Sequence, residues 1–115
     1  MSVAPPPGAG TAIVARPLRL GPFAVDPPDV LAPMAGVTDA PFRVLCASFG
    51  GGLFVNQMVT ARALVENHPT TWSLTRFHPS EAVRSLQLYG TDPGYLAEAV
   101  RMLVGEGRVD HLDLN

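Results

Sequence analysis

The 115-residue sequence contains no lysine, and its eight basic residues are all arginines set against ten acidic residues. Autonomous nucleic-acid binders usually carry a basic surface, so the formal net charge of −2 does not favour that class. The single cysteine, Cys46, excludes an internal disulfide and is typical of a reducing compartment. No apolar run approaches the roughly 20 residues of a membrane helix, and the N-terminus lacks the features of a secretory signal. A cytoplasmic protein without a membrane partner is therefore expected.

Sequence signatures of several common sites are also missing. His68, His78 and His111 have no metal-ligand spacing, and neither C-x2-C nor H-E-x-x-H occurs, so no metal is expected. The first strand is not followed by G-x-G-x-x-G, which disfavours a dinucleotide-binding Rossmann domain. No Ser-His-Asp arrangement can be argued from spacing. We expect Cys46 to be a buried small hydrophobe rather than a nucleophile, and Arg76 and Arg84 to be ordinary surface charges.

What the sequence does contain is enough apolar surface for a core, with 47% hydrophobic residues. Residues 1–17 form a Pro/Ala-rich leader that we expect to be flexible, because three consecutive prolines cannot join a helix or a central strand. Alternating residues on either side of Gly21-Pro22 then predict a short hairpin over residues 18–25.

Strands and helices alternate after the hairpin. Phe42, Leu45, Cys46 and Phe49 form one apolar stripe along the first helix, which predicts that this face packs on the core. The run at 30–32 has breakers on both sides and predicts a strand buried on both faces. The four strands are expected near residues 30–32, 53–58, 84–89 and 111–115, and the three helices near 38–50, 61–67 and 92–105. This order implies a parallel α/β sheet, either doubly wound or part of a (β/α)8 barrel.

Sites in parallel α/β folds form at the C-terminal ends of the strands, which we expect at residues 33–36, 56–58, 87–90 and 113–115. Ala35 and Gly36 would let a flat ring approach the backbone, although a tight strand-to-helix turn explains the same residues. Gln87 lies on an apolar strand and needs partners for its amide, either from the protein or from a heteroaromatic ligand. Asp113 and Asn115 share one strand face, which is therefore either hydrogen-bonded or functional.

Three segments together resemble the tRNA-dihydrouridine synthases, in particular their bacterial branch. Residues 31–43 read Leu-Ala-Pro-Met-Ala-Gly-Val-Thr-Asp-Ala-Pro-Phe-Arg and resemble the family's opening motif. Residues 86–93 are similar to the family's Q-x-x-G-x-x-P segment, and residues 113–115 resemble the first half of D-x-N-x-G-C-P. The motifs occur in the right order at suitable spacing, and the resemblance covers roughly residues 18–115.

This resemblance implies an FMN-dependent (β/α)8 barrel that reduces the C5=C6 bond of particular tRNA uridines, with NADPH as reductant. The target base must be flipped out of its stack to reach the flavin. Carried over residue by residue, Pro33, Met34 and Ala35 would line the flavin ring. Gln87 would hydrogen-bond its polar edge, and Asn115 would contact the flipped uracil.

Two departures from the family pattern matter. The family's catalytic cysteine would fall three residues beyond Asn115, so no catalytic residue is assigned in this chain, and Cys46 is not that cysteine. The second strand of the family usually carries Glu before Met, whereas this chain has Gln57-Met58. The change removes a carboxylate near the pocket, and no role is predicted for Gln57.

A complete barrel takes about 250 residues, so residues 18–115 are expected to form its N-terminal portion of about four strands. Asn115 lies at the tip of the last strand, just before the catalytic motif of the family. We expect the chain alone to be marginally stable, inactive and prone to self-association through an exposed sheet edge. In the full-length protein, tRNA would be the partner.

Two other interpretations remain open at this point. The chain could belong to another FMN-dependent barrel oxidoreductase that acts on a small molecule, such as an ene-reductase or a dihydroorotate-type dehydrogenase. It could also be a non-catalytic remnant, or a half-barrel that pairs with another copy. The residues that follow position 115 would separate the two enzyme classes, because G-C-P favours the tRNA enzyme.

Overall fold

A computed structural model describes residues 15–115 of the chain. Residues 1–14 of the predicted leader lie outside the described residues, and residues 15–17 form no helix or strand. The strands are β1 (Leu18–Leu20), β2 (Phe23–Val25), β3 (Val30–Leu31), β4 (Leu53–Thr60), β5 (Ser85–Tyr89) and β6 (His111–Leu114). The helices are α1 (Ala40–Ala47), α2 (Ala61–Val65), α3 (Pro69–Ser73) and α4 (Pro93–Gly105).

The larger sheet has four parallel strands in the order β3-β4-β5-β6. Each strand therefore pairs with the strand before it in sequence. A barrel has this sequential order, whereas a doubly wound sheet reverses its strand order at a switch point. The arrangement confirms the α/β prediction and matches the first part of a (β/α)8 barrel. The antiparallel pair β1-β2 confirms the predicted hairpin.

Two aspartates cap the N-termini of the longer helices. Asp39 accepts a hydrogen bond from the backbone N–H of Phe42 at 3.0 Å, and Pro41 lies in the first turn of α1. Asp92 accepts from the N–H of Gly94 at 2.7 Å, and Pro93 begins α4. Each cap satisfies a backbone donor that the helix leaves free, so both strand-to-helix turns are set by local sequence.

The main apolar cluster lies between the sheet and helices α2 and α4. Trp72 and Phe77 are partly buried against it. Its fully buried members come from two strands and two helices: Val59, Ala61, Leu64, Leu86, Leu88, Ala99 and Leu103. Among residues 15–115, no helix is long and apolar enough to cross a membrane.

A second, smaller apolar cluster joins the hairpin to the beginning of β4. Val25 of β2 packs with Leu53 and Val55, and all three are buried. Gly52 lies directly against this contact, because a Cβ atom there would overlap the Pro27 carbonyl oxygen and the Val25 side chain. The hairpin therefore covers the N-terminal end of β4 and leaves the C-terminal strand ends free.

The apolar stripe predicted for the first helix is wrong. Leu45 is 59% exposed and Phe49 is 86% exposed, and Phe49 lies beyond the end of α1. Cys46 is half-buried rather than buried. The buried residue of α1 is instead Arg43, because this helix packs on β4 through a polar network and not through apolar side chains.

The predicted burial of β3 on both faces is also wrong, since Val30 is 47% exposed. On the opposite edge of the sheet, Leu114 of β6 is 62% exposed. Both strands are edges of the four-stranded sheet, and nothing in residues 15–115 covers these two side chains. In the segment between β4 and β5 the sequence predicts one helix, and the structure has two, α2 and α3.

Candidate functional site

The bend that follows β3 consists of residues 33–36 and is called the 33–36 bend below. Its turn is closed by the N–H groups of Val37 and Thr38, which both donate to the Met34 carbonyl oxygen at 3.0 Å. The buried Thr38 hydroxyl also bonds to Met34, accepting from its N–H at 3.0 Å. Gly36 has φ +73°, a left-handed conformation that glycine adopts without strain. The bend is therefore a defined turn with small, exposed residues at its tip.

Gln57 of β4 reaches the same bend from the neighbouring strand. Its Oε1 atom accepts a hydrogen bond from the Gly36 N–H at 2.9 Å. No role is predicted for Gln57 from the sequence. The available signal was its place as a polar side chain near the C-terminal end of a strand, beside the bend of the preceding strand.

A second polar group lies at the ends of β5 and β6. Gln87 donates from Nε2 to the Asp113 carboxylate at 2.6 Å. Because an ionised carboxylate only accepts hydrogen bonds, this contact fixes the amide orientation and turns Gln87 Oε1 toward Asn115. The distance from Asn115 Nδ2 to that oxygen is 3.5 Å, the limit of hydrogen bonding. The Asp113 carboxylate is thus hydrogen-bonded within the protein, which is one of the two alternatives predicted for this strand face.

Side chains of non-adjacent strands meet across this face. Asn115 follows β6, and its Nδ2 atom lies 3.8 Å from the sulfur of Met58 on β4. Strand β5 lies between β4 and β6 in the sheet. Their contact requires the sheet to curl toward the face that carries Gln87, as it does in a barrel. Gly36 contacts Gln57, and Met58 contacts Asn115, which also approaches Gln87. Gln57 and Met58 are adjacent residues of β4, so the two sets of contacts meet at that strand.

Met34, Ala35 and Asn115 thus lie just beyond the C-terminal ends of their strands, and Gln87 lies in the middle of β5, within reach of Asn115. The half-buried Pro33 begins the bend, and Met34 and Ala35 are exposed. The other face of β5 and β6 is different, since Leu86, Leu88 and Leu112 join the main apolar cluster. One face of the sheet is therefore sealed by helices, and the opposite face presents polar groups at its C-terminal end.

Beside this site, Arg43 forms a buried polar network that the sequence analysis missed. Its guanidinium donates to both carboxylate oxygens of Glu81, at 2.6 and 3.0 Å. It also donates to the Thr38 carbonyl at 2.7 Å and to Asn56 Oδ1 at 2.8 Å, and it lies 4.8 Å from the centroid of Phe77. The network joins the start of α1 to β4, and so it supports the segment that carries the 33–36 bend.

The remaining candidate residues take no part in a metal or nucleophile site. Among residues 15–115, no group of three His, Cys, Asp or Glu side chains could hold a metal ion. His111 pairs through Nδ1 with the buried Ser85 hydroxyl at 2.8 Å. Cys46 lies on α1, away from the strand ends.

Arg84 is not the ordinary surface charge that the sequence predicts. Its side chain donates to both oxygens of Asp110, at 3.0 and 2.9 Å, and its backbone N–H donates at 2.8 Å. These hydrogen bonds from the Arg84 side chain and backbone hold the pKa of the Asp110 carboxyl below its ordinary value. The pair closes the N-terminal end of β5 and is separate from the strand-end site.

Comparison with known proteins bears directly on this site. Residues 30–115, which contain all of it, match the family model described as dihydrouridine synthase. The chain belongs to this family. It is 50% identical over 105 residues to a probable tRNA-dihydrouridine synthase of Mycobacterium tuberculosis, covering 85% of this chain and 27% of that protein.

Two further relatives agree. The chain is 42% identical over 112 residues to a probable tRNA-dihydrouridine synthase of Mycobacterium leprae, covering 75% of this chain and 29% of the relative. It is 41% identical over 99 residues to tRNA-dihydrouridine synthase B of Pseudomonas aeruginosa, covering 85% and 29%. These matches confirm the predicted resemblance to the bacterial dihydrouridine synthases. The chain spans less than a third of the length of these relatives.

Proposed function

We propose that the strand-end site is the flavin-binding and base-binding part of a tRNA-dihydrouridine synthase. In this proposal Pro33, Met34 and Ala35 line the isoalloxazine ring of FMN, Gln87 hydrogen-bonds its polar edge, and Asn115 contacts the flipped uracil. The observation that supports it most is that the 33–36 bend and Asn115 follow the C-terminal ends of strands in one curled sheet, with Gln87 of β5 within 3.5 Å of Asn115. The names of the relatives supply the substrate class.

The residues fit an FMN ring in size and in hydrogen-bonding capacity. Ala35 and Gly36 leave the backbone of the bend open, and the exposed Met34 offers an apolar, polarisable surface. Gln87 presents a carboxamide whose orientation Asp113 sets, which suits the donor and acceptor groups along a flavin edge. When bound, FMN supplies the hydride chemistry, with NADPH as its reductant. The protein's part is to bind and orient.

Asn115 has a separate role in this proposal. Its amide lies between Met58 and Gln87, and it can donate to and accept from the Watson–Crick edge of a uracil. Since Asn115 contacts Gln87, base and flavin would be aligned by adjoining amides. The proton for the second carbon would come from outside these 115 residues, because Cys46 lies on α1. The complete reaction is therefore proposed for a barrel that further residues complete, in a cytoplasmic protein.

The test uses the 115-residue chain and a graft protein. In the graft protein, residues 18–115 replace the matching segment of the Mycobacterium tuberculosis relative, and that relative is measured in parallel. We expect the graft protein to bind FMN and to form dihydrouridine in unmodified tRNA with NADPH. The isosteric Q87M variant should bind FMN at least tenfold more weakly, whereas E98Q, on the exposed face of α4, should not. We expect the chain alone to self-associate and to lack activity.

Two results would contradict the proposal. If the relative is active and the graft protein binds no FMN, these residues do not form a flavin site. If the graft protein binds FMN and oxidises NADPH with a small enone but never modifies tRNA, the small-molecule oxidoreductase is the better assignment.

A further inference from the structure

Among residues 15–115, Gln57 is the one strand residue whose side chain forms a hydrogen bond with the 33–36 bend. The acceptor is Gln57 Oε1, the donor is the Gly36 N–H, and the distance is 2.9 Å. The two residues are 21 positions apart in the sequence. The contact therefore links the end of β3 to the end of β4.

The other hydrogen bonds of the bend are local. They join Met34 to Val37 and Thr38, within four residues. Local bonds fix the shape of the turn, and the Arg43 network connects its base at Thr38 to Asn56 of β4. Beyond Leu31 the β3–β4 register is not continued, since its pairs are Val30 with Leu53 and Leu31 with Phe54. Gln57 thus supplies the contact between the Gly36 tip and β4, which neither the short β3 ladder nor the Arg43 network provides.

Gly36 is suited to receive this tether. Its φ of +73° is a conformation that L side chains rarely adopt, and a Cβ there would meet nothing within 4 Å. The glycine is therefore required by the backbone conformation and not by crowding. The conformation is the one in which the Gly36 N–H meets Gln57 Oε1.

We infer that Gln57 is a positioning residue that holds the flavin-contacting bend in place without adding a charge to the site. The inference rests on the proposed function. A glutamate at this position would accept the same N–H more strongly, but it would add a negative charge. Gln57 keeps the acceptor and omits the charge. In this chain the bend keeps the hydrogen bond that a carboxylate would accept, while the electrostatic potential at the flavin ring is less negative.

The positioning role is tested by hydrogen exchange at the Gly36 amide, measured by NMR on the 115-residue chain without flavin. Removing the acceptor in Q57M should speed Gly36 exchange by roughly threefold to tenfold, the range for one net hydrogen bond. Q57E should keep exchange slow. Gln87 is the only other glutamine in the sequence, so Q87M is a matched control and should leave Gly36 unchanged. Unchanged exchange in Q57M would overturn the inference. If the chain does not fold alone, the same amide is measured in the graft protein.

The charge is tested in the graft protein by FMN affinity and flavin midpoint potential. Q57M should weaken FMN binding by about threefold to tenfold. Q57E should retain binding and shift the midpoint potential to a more negative value, because added negative charge disfavours the electron-rich reduced ring. A potential that is unchanged or more positive in Q57E would overturn the charge argument.

Failure of the proposed function is distinguishable from failure of this inference. If the unsubstituted graft protein binds no FMN while the relative does, the proposed function is wrong, and Gly36 exchange still decides whether Gln57 tethers the bend. If the graft protein binds FMN, and Q57M binds it equally well with unchanged Gly36 exchange, the positioning role is wrong and the flavin assignment stands.

Discussion

The two halves of the four-stranded sheet, called its two sides below, pack on their helices through different interactions. Around β5 and α4, seven fully buried apolar residues form a cluster without polar members. Around β3 and α1, the buried centre is Arg43, whose guanidinium contacts a carboxylate, a carbonyl and an amide. On α1, Leu45 faces outward and Phe42, Val44 and Cys46 are only half-buried.

The difference shows what each side is suited to do. Apolar clusters tolerate small shifts in register, because their energy depends on area and packing rather than on direction. The Arg43 network is directional, so it fixes α1 and Thr38 relative to β4 to within hydrogen-bond tolerance. The 33–36 bend is bonded to Thr38, and therefore the segment proposed to contact the flavin is attached to the more rigidly specified side.

The largest expected effect comes from breaking the Arg43 network. R43M leaves the Glu81 carboxylate without its partner in a nearly buried site, and we expect a loss of about 3–5 kcal/mol in unfolding free energy. The measurement is urea denaturation of the graft protein. R101M is the matched control, because Arg101 is largely exposed and bonds only to Glu98, and it should change stability by less than about 0.5 kcal/mol.

The double variant R43M/E81M sharpens the same test. Removing both charges should restore part of the loss, since an uncompensated carboxylate is worse than two apolar side chains. If R43M alone costs less than about 1 kcal/mol, the polar network does not hold α1, and the contrast between the two sides is wrong.

The next largest effect tests the apolar side. L103A removes a fully buried side chain from α4, and we expect a loss of about 3 kcal/mol by urea denaturation. L45A is the same substitution on α1 at a position that is 59% exposed, and it should cost well under 1 kcal/mol. Equal losses would mean that α1 packs through its apolar stripe after all.

These pairs also show how far sequence reasoning reached. The hairpin and the alternation of strands and helices followed from turn residues and periodicity, because those signals are local. Helical periodicity also agrees with burial on α4, where Ala99 and Leu103 face the sheet. The same rule failed on α1, because periodicity reports which side is apolar and not whether anything covers it.

The strand-end site was predicted as separate residues, not as a network. Strand alternation predicted that Asp113 and Asn115 share one face. The apolar neighbours of Gln87 predicted that its amide needs hydrogen-bond partners. That Gln87 bonds Asp113, and that Met58 meets Asn115 across β5, depends on sheet register and curl. Gln57 was missed for the same reason, since its partner Gly36 lies 21 residues away on another strand.

A smaller effect is expected where the hairpin meets β4. In G52A the new methyl group would overlap the Pro27 carbonyl oxygen, which is backbone and cannot rotate away. We expect a loss of about 2 kcal/mol in the same denaturation assay. G105A is the control, because a Cβ at Gly105 meets nothing within 4 Å, and it should be neutral or slightly stabilising. A neutral G52A would show that the hairpin is not closely packed on β4.

The smallest effect is pH-dependent and concerns the Arg84–Asp110 pair. The pKa of Asp110 is lowered in the folded protein, first by the hydrogen bond from the Arg84 side chain. The pair's stabilisation is therefore complete above the unfolded carboxyl pKa of about 3.9 and is lost as pH falls through the lower folded value. The pair is about a third exposed, so a double-mutant cycle with R84M and D110N should give only about 0.5–1 kcal/mol at pH 7.

At pH 3 the Arg84–Asp110 coupling energy should be smaller than at pH 7, and 0.5 M salt should weaken it further because exposed charges are screened. The Glu98–Arg101 pair is the control, since it is more exposed and its coupling should be near zero at both pH values. A coupling that grew on acidification would mean that the carboxylate is destabilised in the folded protein, opposite to its hydrogen bonds. If the coupling energy is the same at both pH values, the stabilisation comes from packing of the Arg84 side chain against the turn that precedes β6. The contact at the N-terminal end of β5 would then be steric and not ionic.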